Sequence, residues 1–184
     1  SGRGGPMIAT ARLDRVVVVI ATVLILALVN WSIWAKERHL AEGEVVYLEL
    51  APVDPRSLLQ GDYMALNFEI ANRIREAHYA QRRESGEPQA ADGHVIVRLD
   101  AQRVVHFQRL GASNDSLAAD EVRLRYRMRN GQVRFATDAF FFQEGHAERY
   151  ESARYGQFRV NERGEPLLVS LHDDELEKLG DMAR

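Results

Sequence analysis

The chain contains no cysteine. That excludes disulfides, a thiol nucleophile and an iron–sulfur cluster, while leaving both oxidising and reducing compartments open. Net charge is also scarce: −3 over 184 residues is too near neutral for bulk electrostatics to imply a nucleic-acid partner. Lysine is nearly absent. Only Lys36 and Lys178 follow the N-terminal apolar run, so a Ser–Lys hydrolase would lack a strand-borne lysine base. The six histidines, His39, His78, His94, His106, His146 and His172, never recur at i+2 or i+4, which is not metal-site spacing. The acidic HDDE at His172 is expected at the start of a helix from the helix dipole alone. There is no Gly-x-Ser-x-Gly elbow and no phosphate-binding glycine loop ahead of a helix. No cofactor is expected.

One long apolar run is present. Val16 to Trp34 carries no charge, and a bilayer crossing needs about 20 mostly apolar helical residues. Val16 to Val29 is apolar on every face, which argues against a buried helix of a soluble protein. A cleavable signal has a shorter apolar region, roughly 7 to 15 residues, and a small-x-small cleavage site; NWSIWA is a poor match. Trp31 and Trp34 suit a headgroup boundary, and Lys36 and Arg38 follow at once. The expected organisation is a non-native leader over 1–6, a cytoplasmic tail over 7–15, a transmembrane helix over 16–35, a juxtamembrane linker over 36–43 and a β-rich domain over 44–184. Arg12 and Arg15 before the span nearly balance Lys36 and Arg38 after it, so charge alone does not orient it.

Beyond the span, EVVYLEL reads as a strand, and DPRSLL as one helical turn with Asp54 as cap and Pro55 at the first position. YMALNFEI alternates like a second strand, and Ala71 to Arg83 reads as a short helix. HVIVRLDAQRVVHFQRL suggests two strands folded about Asp100 to Gln102. Asn130-Gly131 lies between two alternating runs and predicts a type I′ hairpin. Strands near Gln157 to Val160 and Leu167 to Leu171 flank the turn NERGEP, and Asp173 to Leu179 reads as a closing helix. There is no repeat, and no long helix alternates with strands, which argues against a parallel βαβ fold. The expected class is mainly β: an antiparallel barrel or sandwich with short helices, behind one N-terminal transmembrane helix.

Two constellations carry possible chemistry. Arg123, Arg125, Arg127 and Arg129 occupy every second position of one strand, so four guanidinium groups share a face while Leu124, Tyr126 and Met128 turn to the core. That face suits an acidic partner, anionic lipid or a polyanionic glycan. It equally suits a solvated sheet whose arginines pair with carboxylates such as Asp120, Glu121 and Asp138. The second constellation is Asp62 and Glu144, each beside a glycine, with Tyr63 and Arg56 near in sequence. They either line one cleft as acid and base, or each ties its own turn.

PVDPRSLLQGDYMALNFEI resembles the signature of the GDYXXLXY protein family, with Asp54, Pro55 and Arg56 leading into Gly61, Asp62, Tyr63 and Leu66, and Phe68 where the name has tyrosine. FFFQEGHAERYESARYGQFRV is similar to that family's second block, with Glu144, Gly145, Tyr155 and Gly156. The resemblance implies a bacterial protein with one N-terminal anchor, a β-rich domain outside the cytoplasm, gene neighbours that encode polytopic membrane proteins, and no established catalytic residues. A weaker likeness to type I signal peptidases founders on Val53, which stands where their nucleophilic serine would be.

The function expected is a non-enzymatic accessory or interaction subunit, single-pass in the inner membrane with its β-rich domain in the periplasm, that docks on a multi-spanning membrane protein or an envelope complex. The alternatives are an envelope hydrolase or ligand-binding module using the GDY–QEG cleft, with a small-molecule ligand left unspecified, and anionic lipid or glycan binding through the arginine strand.

Overall fold

The computed structural model describes residues 7–51, 59–60, 63–85, 91–135, 139–141 and 147–180. They form two units, one ending at Ala41 and one starting at Glu42. The first is helix α1, Met7–Glu42, about 54 Å long at 1.5 Å per residue. From Arg15 onward it is long and apolar enough to cross a membrane, and its large apolar side chains from Val16 to Trp34 are about half exposed or more. Two polar side chains of the apolar run are satisfied within the helix: Thr22 Oγ1 donates to the Val18 carbonyl at 2.8 Å and Asn30 Nδ2 to that of Leu26 at 2.9 Å. In hydrocarbon such internal pairing is required, because no water is there to replace it. At the far end the Arg38 guanidinium lies 5.6 Å from the centre of the Trp34 ring.

The second unit is mainly β, as expected. One sheet has the order β1 (Glu44–Glu49), β9 (Tyr155–Val160), β10 (Pro166–His172). A second runs β5 (Val105–Gly111), β4 (Ala91–Leu99), β6 (Glu121–Arg129), β7 (Gln132–Arg134). A small third sheet joins β2 (Leu59–Gln60), β3 (Tyr63–Ala65) and β8 (Ala139–Phe141). The ladders between these strands are antiparallel.

The two larger sheets are tied at two places. Tyr47 N–H donates to the Arg103 carbonyl at 3.0 Å, while Arg103 returns Nε to the Val45 carbonyl and Nη2 to Glu44. On the other side Arg125 N–H donates to the Gly164 carbonyl in the β9–β10 turn, at 2.6 Å. Between the sheets lie Val46, Leu48, Val95, Val97, Leu124, Phe158 and Leu171, all fully buried or nearly so. Helix α2 (Glu69–Ser85) adds Ile70 and Ile74, one turn apart on its inner face. The Asn130-Gly131 hairpin forms as predicted, with φ of 51° and 74° and Arg129 opposite Gln132.

Two expectations are corrected. The strand expected over Tyr63 to Ile70 ends at Ala65, and α2 begins at Glu69. Leu66, Phe68 and Ile70 do alternate, but Ile70 and Ile74 bury together only on a helix, and Glu69 suits its first turn. The helix expected over Asp173 to Leu179 is a turn instead. Asp173 Oδ1 does cap, accepting from Glu175 N at 3.0 Å and Glu177 N at 2.8 Å, but Leu176 at φ 63° departs from helix, and Leu179 N–H returns to the Leu171 carbonyl. Residues 52–58, with the expected DPRSLL turn, lie outside the described residues.

Phe68 sits where the elements meet. Its backbone bridges Leu50, and its ring stands edge-on to Phe158 at 5.3 Å and Phe135 at 6.2 Å. Gly156 makes the room: a Cβ there would lie 3.1 Å from both Phe68 and Phe158 and 3.2 Å from Leu168. Phe68→Ala is therefore expected to cost about 3–5 kcal/mol and Gly156→Ala about 1–3 kcal/mol from overpacking. Urea unfolding of the detergent-solubilised chain, followed by circular dichroism, checks both; an unmoved midpoint in Gly156→Ala would mean that this seat tolerates the methyl group.

Candidate functional site

Along β6 the buried side chains are Val122, Leu124, Tyr126 and Met128; Arg123, Arg125, Arg127 and Arg129 project from the opposite face. The pleat dictates this division. The arginines then differ in what they meet. Arg125 Nη1 lies 3.2 Å from Glu165 Oε1, and Arg129 Nη1 lies 2.7 Å from Asp92 Oδ1. Arg123 Nη2 donates to the Asp115 carbonyl at 2.6 Å, while its Nε is buried without a hydrogen-bond partner among the described residues. Arg127 is exposed, and among the described residues the ion pairs of this strand are those of Arg125 and Arg129.

The carboxylates that sequence proximity suggested are used elsewhere. Asp120 pairs with Arg98 at 3.1 Å and Glu121 with Arg109 at 2.8 Å; Asp138 lies outside the described residues. The actual partners, Asp92 and Glu165, come from β4 and from the turn before β10. Together they wall a groove of about 480 Å³ lined by Asp92, Arg125, Arg127, Arg129, Arg134 and Glu165 over Tyr126, Phe135 and Pro166. Its lining carries four guanidinium groups and two carboxylates. Arg134 stands directly opposite Arg127 across the hairpin and donates to Gln132 Oε1 at 3.1 Å.

The field of these arginines shows in their neighbours. The Arg129 hydrogen bond, followed by the charges of Arg129, Arg127 and Arg125, holds Asp92 below the ordinary carboxylate range. Glu165 is lowered by its Asn161 hydrogen bond and then by Arg125. His94 faces Arg125 in the β4–β6 register; burial, then the charges of Arg123 and Arg125, make it harder to protonate. The arginine charges favour the anionic form of the two carboxylates that line the groove.

The other candidate cleft is only partly visible. Asp54, Pro55, Arg56, Gly61, Asp62, Glu144 and Gly145 lie outside the described residues. The backbone of Tyr63 pairs with Phe141, so the strand after the first motif and the aromatic stretch of the second are ladder neighbours. Leu66 and Phe68 are buried in the core, and Gly156 receives the Phe68 ring. Tyr155, across from Glu49 and His172, is made harder to ionise by burial and then by the Glu49 charge.

Sequence reading missed one polar cluster. Ser170 and His172, both 4 % exposed, share the face of β10 that the C-terminal turn covers. Ser170 Oγ lies 3.0 Å from His172 Nε2, and His172 Nδ1 donates to the Leu176 carbonyl at 2.8 Å. Gln157 completes the cluster, 2.9 Å from His172 and 3.1 Å from Ser170. A hydroxyl, an imidazole and an orienting carbonyl have the contacts of a nucleophilic pair, but both side chains are shut from solvent. Their arrangement pins the C-terminal turn to β9 and β10. The Ser-x-His spacing on a strand was the available signal; its burial depends on the turn.

The model of the GDYXXLXY protein family matches residues 25–171, and the chain belongs to that family. No curated protein and no solved structure matches it.

Stability should follow the site's titration. His94 has a folded pKa below its ordinary 6.5, so its neutral form favours the fold and stability declines as pH falls below about 6.5. Asp92 and Glu165, also lowered, add a further decline below their ordinary 3.8 and 4.5. Urea midpoints measured across pH should show the first decline in the parent chain and its absence in His94→Gln. A rise in stability through the same interval would contradict the placement of His94 beside Arg123 and Arg125.

Proposed function

We propose that this member of the GDYXXLXY family is a single-pass protein of the bacterial inner membrane whose β-rich unit lies in the periplasm. There it acts as a non-enzymatic accessory subunit of a multi-spanning membrane protein. One observation carries the reading: an uncharged helical run with exposed apolar side chains is followed by a β unit with a core of its own and an arginine-lined groove. Anchoring holds such a unit at the membrane, where a partner in the same bilayer meets it at high effective concentration. The gene neighbourhood that the family implies supplies partners of that kind.

Three observables test this. Added protease should cut the β unit in spheroplasts and leave it intact in sealed whole cells, and the chain should resist alkaline extraction from membranes. Detergent-solubilised full-length chain, taken from cells expressing its genomic neighbours at native level, should co-purify with a multi-spanning protein. Recovery of the chain alone would overturn the subunit reading, and alkaline release would overturn the anchor.

A further inference from the structure

Resting on that reading, we infer that the groove between the β6–β7 hairpin and the β9–β10 turn is the docking site for an extended acidic segment of the partner protein, centred on Arg127. Within the groove Arg125 and Arg129 already hold one carboxylate each, at 3.2 and 2.7 Å. Arg127, between them on the strand, is exposed and lines the groove. Its cross-strand neighbour is Arg134, and like charges directly opposite in a ladder oppose the pairing of the strands. An anion seated at Arg127 relieves that repulsion.

The geometry selects the occupant. Alternate residues on a strand are about 6.6–6.8 Å apart, so Arg125, Arg127 and Arg129 repeat at the spacing at which an extended peptide presents every second side chain. Asp92 and Glu165 show that carboxylates are accepted at both ends of this row. A planar guanidinium takes a carboxylate through two parallel N–H···O bonds, which ties affinity to geometry as well as to charge. Pro166 also lines the groove and gives the guanidinium row an apolar neighbour. A lipid surface is a poorer occupant. Membrane docking pairs basic residues with apolar side chains that insert, and the exposed large apolar residues described in this unit, Tyr79, Leu117 and Val169, line no part of the groove.

The test uses the full-length chain in neutral detergent and a fluorescent peptide with glutamate at alternate positions, separated by threonine. A matched peptide with glutamine for glutamate and vesicles containing anionic phosphatidylglycerol serve as competitors. Saturable binding of the glutamate peptide is expected, weakening as salt rises and falling about tenfold in Arg127→Gln, the loss of one charge-assisted contact. Arg98→Gln, which removes the same charge from the Asp120 pair, should leave binding unchanged. Equal binding of the glutamine peptide, equal loss in both variants, or displacement by vesicles with no saturable peptide binding would each overturn the inference. Co-purification separates it from the reading it rests on. A partner retained by Arg127→Glu sinks the groove assignment and leaves the subunit standing; peptide binding without any co-purifying protein does the reverse.

Discussion

The contact between the Phe68 ring and the bare Cα of Gly156 is the constraint on which the β unit turns. Phe68 is at once the bridge to Leu50, the residue before α2, and one of three rings packed edge to face with Phe135 and Phe158. Edge-to-face pairs gain about 0.5–1.5 kcal/mol beyond the area they bury, but only if the rings can approach, and a Cβ at residue 156 would crowd both Phe68 and Phe158 at 3.1 Å. The two sequence blocks that mark the family therefore meet twice: through this ring and through the Tyr63–Phe141 ladder. The tyrosine of the family name would place a hydroxyl at this position. Phe68, 4 % exposed, packs its ring there with no such group to satisfy.

Once the aromatic core is fixed, the polarity of β6 is fixed with it. Tyr126 and Met128 point inward because α2 and Phe135 are there to receive them, and Tyr126 finds its hydrogen bond inside, 2.6 Å from His78 Nε2. The arginines have no choice but the outer face. What is not dictated by the core is how they are neutralised, and the chain does so with residues brought by other elements. Asp92 arrives from the adjacent strand and Glu165 from a turn whose Gly164 carbonyl accepts the Arg125 N–H of β6. The groove is thus a by-product of docking the β9–β10 turn against the edge of β6.

This explains which features were legible in the sequence. The long apolar helix, the Asn130-Gly131 hairpin and the inward set of β6 depend on runs of consecutive residues, and local sequence carries them. The strand through Phe68 was misread because Leu66, Phe68 and Ile70 satisfy the two-residue period, while the competing partner Ile74 acquires meaning only when α2 has a core to face. Asp173 was recognised as a cap, but what it caps is decided by Leu176 and by the return to Leu171. The Ser170–His172–Gln157 cluster and the Arg125–Glu165 pair join residues far apart in the chain, or buried by a later segment. Beyond the Ser-x-His spacing, no local pattern reaches them.

The polar groups of the β unit divide by accessibility, and the division bears on function. Where a hydroxyl, an imidazole and an amide are buried together, at Ser170, His172 and Gln157, they are satisfied by one another and by the Leu176 carbonyl, as burial demands. Where charge is in excess, along β6, it is exposed and set on a rigid strand of the second sheet. Facing Arg127 with Arg134 works against the hairpin, and a charged residue at that position contributes nothing to the core beneath it. Departures from local consistency of this kind concentrate at sites of function. The row of arginines repeats at fixed spacing, with Arg125 and Arg129 paired and Arg127 exposed between them. The buried Ser–His pair, for all its contacts, has the chemistry of a fold.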